Sequence, residues 1–340
     1  MRKFALDMTK TKNSPRYFGA LLAMLVMALL WIAGAGDAQA RSPRGRDSTQ
    51  RRTAATYGFD DLSAQSWLLV EASTGSELSS KSPDSIMYPA SMTKIMTCLV
   101  AIESGHLRDT ITIGADASRI ISTTVHAGDR FILRNLLDEM MLESDNGAAR
   151  AIADHLSRYG NFIEKMNRRA RQLGMTNTHF ANPHGLHDTQ NYTTARDLMK
   201  LVRCAMQDTT FAAIVRNFQK DVPLVYPAGK VMHCKSTNKL LSRYEGANGI
   251  KTGYVRAAGG CLASAAKRGG IQLYLVVMKC SPVRARFDES AFLLNYGFEK
   301  ARLLPISDSD RRTVPHPRVR RPSHLNTEVP PPPPRGKRRR

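Results

Sequence analysis

The chain is short of acid. Its 340 residues carry 29 Asp plus Glu against 50 Lys plus Arg, a net charge of +21. The surplus is uneven: residues 1–40 hold +3, residues 41–56 hold +4 and residues 301–340 hold +8, which leaves +6 for residues 57–300. The basicity therefore speaks about what the ends of the chain meet and little about the part that folds. Cysteine is scarce too. The five, at Cys98, Cys204, Cys234, Cys261 and Cys280, form no C-x-x-C pair, so neither zinc nor dithiol redox chemistry is indicated and no metal or cofactor is expected. There is no internal repeat, and only one long apolar run, at residues 18–35. With 42% hydrophobic and 23% charged residues, the composition excludes a wholly disordered chain, a collagen and a multi-span membrane protein. The length suits one large domain or two ordinary ones.

The ends read as something other than fold. Arg2, Lys3, Lys10, Lys12 and Arg16 precede the apolar run, and Ala38-Gln39-Ala40 follows it with the small residues a signal peptidase reads. Residues 1–40 are therefore expected to be a cleaved export signal. The competing reading is an uncleaved anchor, because 18 residues make a helix of about 27 Å, borderline for a bilayer core. Residues 41–56 are polar and basic without periodicity, a linker. Residues 301–340 are rich in Pro and Arg, with prolines 330 to 334 in a row, and are expected to be a disordered basic tail. Such ends suit electrostatic contact with an anionic membrane surface or wall polymer. Nucleic acid is not an expected partner of an exported protein. The expected location is the periplasm, with peripheral attachment to the membrane through charge.

Residues 57–300 read as one α+β domain. Trp67-Leu68-Leu69-Val70 followed by Ser73-Thr74-Gly75 predicts a strand and a tight turn, with a second short strand at residues 77–80. Met92, Ile95, Met96, Leu99, Val100 and Ala101 predict a helix over 92–102, apolar on most faces and so central. Further helices are expected at 133–142, 147–156 and 162–173, and another from Asp197 after a Thr193-Thr194 cap. Three strands follow at 249–255, 260–266 and 271–279, the last two joined by Gly269-Gly270, a hairpin signal. A final helix over 286–296 is expected to stop at Gly297 as its C-cap. Strands at both ends with helices between them predict an antiparallel sheet flanked by helices, with an inserted all-helical cluster. Cys98 reads as a buried small hydrophobe. Cys261 and Cys280 fall on neighbouring strands, and whether they bridge is left open.

Three short motifs carry chemistry. In Ser91-Met92-Thr93-Lys94, positions i and i+3 of a helix share a face. A serine hydroxyl needs a neighbour to take its proton, and a lysine can do so only if burial or nearby positive charge makes its ammonium unstable. Ser144-Asp145-Asn146 lies between two helices, and Lys251-Thr252-Gly253 lies on a strand. Each has a plain structural reading as well: Ser144 as a helix cap, Lys251 as a solvated strand charge. S-x-x-K, S-D-N and K-T-G in this order are the signature of class A β-lactamases and penicillin-binding proteins.

Over about residues 60–300 the chain resembles the serine-type D-Ala-D-Ala carboxypeptidases, the low-molecular-mass penicillin-binding proteins, and so a β-lactamase/DD-peptidase-like fold is expected. The likeness includes Tyr88-Pro89-Ala90 before the nucleophile, Phe180-Ala181-Asn182-Pro183-His184-Gly185-Leu186, Tyr192-Thr193-Thr194-Ala195-Arg196-Asp197 and Asn295-Tyr296-Gly297-Phe298. A class A lactamase would carry a glutamate in an E-x-x-L-N loop between Ser144 and Lys251; Glu164-Lys165-Met166-Asn167 is the nearest string and does not fit. The resemblance implies that Ser91 attacks the bond between two D-alanines of a peptidoglycan stem peptide and that unprotonated Lys94 takes its proton. It implies that Ser144 relays a proton to the leaving D-alanine and that Asn146 holds the substrate amide. Lys251 would stabilise charge and keep Lys94 from ionising. Thr252, beside Gly253, and Arg286 would bind the terminal carboxylate, and the backbone N–H groups of Ser91 and Tyr254 would form an oxyanion hole. β-Lactams should acylate Ser91. His184 and His179 are read as structural, and Arg196 with Asp197 as a loop pin. The rivals are a β-lactamase, a DD-endopeptidase, and a non-catalytic wall-binding or penicillin-sensing protein. Many members of the family carry a second β-rich domain and an amphipathic membrane helix. The 42 polar residues after Phe298 suggest neither, so a soluble or electrostatically tethered enzyme is expected.

Overall fold

The computed structural model describes residues 57–303. The expected export signal and linker, and all but the first three residues of the expected tail, lie outside the described residues.

Along the chain come β1 (Ser66–Glu71), β2 (Glu77–Lys81), α1 (Thr93–Glu103), β3 (Thr110–Thr112), α2 (Ala115–Ser118) and β4 (Arg130–Ile132). Next are α3 (Leu133–Leu142), α4 (Asn146–Leu156), α5 (Phe162–Gln172), α6 (Ala195–Ala205) and α7 (Thr209–Val215). The chain continues with β5 (Gln219–Pro223), β6 (Val231–Lys235), β7 (Ala247–Val255), β8 (Gly259–Arg268), β9 (Ile271–Cys280) and α8 (Ala285–Ala301). Five strands form one antiparallel sheet in the order β2-β1-β9-β8-β7, so the N-terminal hairpin pairs with the last strand, as expected from strands at both ends of the domain. The hairpin between β8 and β9 turns on Gly269 and Gly270, at φ +54° and +86°, with Arg268 opposite Ile271. Two successive positive φ values are what a tight turn between twisted strands requires.

Both faces of the sheet are covered. Trp67 and Leu69 of β1 and Leu273, Leu275 and Val277 of β9 pack with Leu293, Leu294 and Phe298 of α8. The alternate residues Leu68, Val70, Val276 and Met278 pack into the helical cluster on the other side. That parity separates two cysteines. Cys261 belongs to the core on the helical-cluster side and Cys280 to the core on the α8 side, and both are free thiols.

Three expectations need correcting here. Gly297 does not end the last helix: α8 runs through it to Ala301. A Cβ at Gly297 would lie 2.8 Å from one Leu69 methyl and 2.9 Å from a Leu273 methyl, so its lack of a side chain lets the helix sit close on the sheet. Helix α6 begins at Ala195, before Asp197, with the Thr194 hydroxyl accepting from the Asp197 amide at 3.0 Å. The region between β2 and β7 is not all helix: β3 pairs with β4 and β5 with β6 in two small antiparallel sheets.

Helix α1 passes through the middle of the helical cluster, and every residue from Thr93 to Ile102 is buried. Directly before it, residues Ala90–Met92 form a single 3-10 turn. Strand β7 ends the sheet, and the turn lies against it. A Cβ at Gly253 would come within 3.1 Å of the Pro89 carbonyl and 3.2 Å of the Ala90 methyl. Glycine in K-T-G thus allows strand and turn to touch. No helix among the described residues is long and apolar enough to cross a membrane.

Candidate active site

Ser91 stands in the middle of the 3-10 turn, one residue after Ala90, whose φ of +49° is rare for a residue with a side chain. Lys94 follows in the first turn of α1 and is wholly buried. Its Nζ lies 2.7 Å from Asn146 Oδ1, 2.7 Å from the His184 carbonyl oxygen and 3.2 Å from Ser91 Oγ. The Asn146 amide cannot be turned round, because its Nδ2 donates to the Ile121 carbonyl at 2.7 Å. Two of the three partners of Nζ are therefore pure acceptors. An ammonium would donate to all three partners, whereas a neutral amine gives its two hydrogens to Asn146 and His184 and keeps its lone pair for the Ser91 hydroxyl. Burial favours the second arrangement: it lowers the Lys94 pKa to about 7, against the opposing pull of the Asp145 and Glu139 carboxyls.

The S-D-N residues divide their labour differently from the expectation that Ser144 caps a helix. Asp145 is the N-cap of α4, accepting from the Ala148 amide at 2.7 Å. Ser144 instead sits in the left-handed region at φ +65°, which turns its side chain out into the cleft beside Ser91. Lys251 on β7 is buried to 1% exposure, so it is not a solvated strand charge. Burial first, then the neighbouring Lys94 and Arg286, push its pKa well below the ordinary lysine value. Thr252 Oγ1 lies 2.7 Å from Thr237 Oγ1, and Arg286 donates through Nη1 to the Gly253 carbonyl at 2.7 Å. Ser91, Ser144, Asn146, Thr252, Gly253, Tyr254 and Arg286 all line one cleft of about 260 Å³. Tyr254 is half exposed at its rim. The cleft also takes in Leu186, from the segment 180–186, and Ser122, Glu143, Thr237 and Val255, which the sequence did not mark as site residues. Thr237, fifteen residues before Thr252, reaches the site from the segment after β6, where no local pattern marks it.

His184 enters the site through its main chain. Its imidazole accepts from the Leu186 amide at 3.2 Å, and burial, then the nearby Lys94 and Arg150, lower its pKa to about 4, so the ring stays neutral and holds the turn. His179 bonds the Gln190 carbonyl instead and does not line the cleft. Arg196 pairs with Asp84 and Glu77, while Asp197 accepts from Asn177 and Thr178, so the two pin different segments rather than one loop.

Gly185 has the tightest fit of all. It sits at φ +85°, and a Cβ there would fall 1.9 Å from the Ala90 carbonyl oxygen and 3.0 Å from the Ser91 nitrogen. The obstacle is backbone and cannot swing aside. Gly185→Ala is expected to displace the Ser91 turn and slow acylation of Ser91 by about a hundredfold, since small misplacements of a nucleophile have costs of that order. Penicillin labelling rates checked beside a melting curve measure it; wild-type labelling would refute the close approach.

Comparisons with known proteins give one answer. The D-alanyl-D-alanine carboxypeptidase family, Peptidase S11, matches residues 50–281. A D-alanyl-D-alanine carboxypeptidase of Streptomyces sp. strain K15 is 35% identical over 243 residues, 66% of this chain and 84% of that protein. D-alanyl-D-alanine carboxypeptidase DacC of Escherichia coli strain K12 is 30% identical over 72% of this chain; the match spans 63% of that longer protein. The crystal structure of the Streptomyces K15 DD-transpeptidase has a TM-score of 0.67 at 34% identity, covering 70% of this chain and 98% of that one.

Proposed function

This chain belongs to the D-alanyl-D-alanine carboxypeptidase family, and on that premise we propose that it removes the terminal D-alanine from peptidoglycan pentapeptide stems through a Ser91 acyl-enzyme. The observation that carries the reading is the dehydrated Lys94 amine, 3.2 Å from Ser91 Oγ with its other two contacts on acceptors. As Ser91 attacks the carbonyl between the two D-alanines, Lys94 takes the hydroxyl proton. Backbone N–H groups of Ser91 and Tyr254 meet the developing oxyanion, an interaction of a few kcal/mol. Ser144 passes a proton to the departing amine, so that D-alanine leaves neutral at nitrogen. Asn146 bonds the substrate amide with whatever capacity Lys94 and Ile121 leave it. The Thr252 hydroxyl, with Thr237 beside it, and the Arg286 guanidinium face the C-terminal carboxylate, while the buried Lys251 donates to the Thr252 carbonyl at 3.2 Å and so steadies the strand that carries Thr252. Water then hydrolyses the ester.

A β-lactam presents a strained amide in the same geometry and is expected to acylate Ser91 and remain. The enzyme is read as exported and acting in the periplasm. Its basic ends, residues 41–56 and 301–340, would hold it against anionic lipid or wall polymer by charge. The test is product analysis: a pentapeptide ending in D-Ala-D-Ala should yield free D-alanine, and benzylpenicillin should leave a long-lived adduct that maps to Ser91. Fast penicillin turnover would make the protein a lactamase, and cleavage of cross-linked dimers alone would make it an endopeptidase.

A further inference from the structure

Behind the S-D-N segment lies an acid that the mechanism above does not use. Glu139, on α3, is fully buried, and its Oε1 is 2.8 Å from the hydroxyl of Thr124. The same hydroxyl is 2.9 Å from Asp145 Oδ2. Thr124 has one hydroxyl hydrogen and cannot donate to two carboxylates at once. One of the two carboxyl groups must supply the second proton. Asp145 already receives the amide hydrogens of Thr124, Val125 and Ala148, three donors that favour its anion. Glu139 receives none; its Oε2 lacks a partner of good geometry, and its side chain stands directly against the Asp145 carboxylate, a contact that also favours its proton. An orphaned buried oxygen is far less costly on a neutral acid than on a carboxylate. The proton therefore sits on Glu139, which donates to Thr124, which donates to Asp145.

We propose that Glu139 is a positioning residue that, as a neutral acid, holds Asp145 through Thr124 and so keeps Lys94 a base. The inference rests on Lys94 acting as the proton acceptor in the reading above. The charged and titratable groups facing Glu139 are Lys94 from α1, Asp145 from the head of α4, Glu143 from the C-cap of its own helix and Cys234 from β6. Burial, then Asp145, raise the Glu139 pKa well above the carboxylate range, in keeping with the proton count. Were Glu139 ionised, a second anion would face Lys94 and stabilise its ammonium. Were the relay absent, Asp145 would lose a donor and present more of its charge to Lys94. With the Thr124 and Val125 amides, the same relay ties Asp145 to residues 124–125, and Asp145 in turn sets the position of Ser144 on one side and Asn146 on the other.

The experiment is the pH profile of Ser91 acylation by a labelled penicillin in the full-length protein, for the wild type and for Glu139→Gln, Glu139→Leu and Thr124→Val. If wild-type Ser91 is not labelled at all, the proposed function fails before this inference is reached. Glu139→Gln keeps a neutral donor, and its rate and acid limb are expected to match the wild type within about threefold. Glu139→Leu leaves the Thr124 hydrogen on Asp145 but removes the donor that orients and polarises that hydroxyl, and Thr124→Val removes the hydrogen itself, so both weaken the hold on Asp145. Each is expected to slow acylation at neutral pH by about tenfold, the order of one hydrogen bond to a charged group, with the acid limb moved to higher pH. Rescue by Gln alongside loss in Leu or Val is a result that simple packing damage would not produce. A Glu139→Gln profile shifted to lower pH would show that Glu139 is an anion in the working enzyme and overturn the proposal. So would Thr124→Val with a wild-type limb.

Discussion

Ser91→Ala is expected to abolish covalent labelling by penicillin and release of D-alanine while leaving the protein folded. The loss should be about 10⁶-fold, the scale seen when the nucleophile of a serine hydrolase is removed. The cooperative melt should survive, because Ser91 is only partly buried and its hydroxyl makes one polar contact, with Lys94. Non-covalent binding of the stem peptide should survive too, since the groups that would hold it, Asn146, Thr252 and Arg286, are untouched. Intact-mass spectrometry after penicillin treatment reads the adduct directly. An adduct that persists on the Ser91→Ala protein would move the nucleophile elsewhere in the cleft, with Ser144 and Ser122 the hydroxyls next in line. A cellular effect unchanged by Ser91→Ala would favour a wall-binding or penicillin-sensing role over catalysis.

The features that the sequence revealed are those dictated by local periodicity. Strand β9 alternates between two covered faces, and the Gly269-Gly270 turn needs two positive φ values that only glycine adopts freely. Helix α1 is apolar all round and lies where such a helix must, in the middle. The site motifs were legible as strings because each is contiguous in the chain, even where it crosses from a turn into a helix. What escaped notice depends on distant partners. Gly297 looks like a helix stop until Leu69 and Leu273 are seen against it. Strands β3 to β6 are three to five residues long and pair with one another only across intervening chain, so no alternating run announces them. Asp145 rather than Ser144 caps α4, a choice made by the positive φ at Ser144. The Glu139–Thr124–Asp145 chain joins a helix, a loop and a helix start, and no spacing rule relates them. Even Cys261 and Cys280, close in the hairpin, are parted by strand parity: Gly260 opposes Cys280, which leaves Cys261 facing the other side.

Lys94 is where the second large effect is expected, and two independent titrations should report it. Acylation by penicillin should climb with pH along a limb centred near 7, because burial brings the Lys94 pKa down to about 7 and the ammonium below that pH has no lone pair for the Ser91 proton. Lys94→Met should erase the limb together with about 10²–10⁴ of the neutral-pH rate, the usual worth of a positioned base. Lys94→Arg should not rescue it, as a guanidinium stays charged. Stability carries the same signature. In the unfolded chain Lys94 returns to its ordinary value of 10.5, so between pH 7 and 10.5 the unfolded state binds a proton that the folded state does not. The wild type should therefore gain stability over Lys94→Met as pH rises through that window, with no change in the difference below pH 7. Lys251 is coupled to Lys94, whose charge helps lower its pKa, so the difference in melting temperature reports the pair, and a Lys251→Met background separates the two. A difference that stays flat from pH 7 to 10, with no acid limb near 7 and full acylation below it, would mean that Lys94 works as a cation, and the base would then have to be sought among the other groups of the cleft.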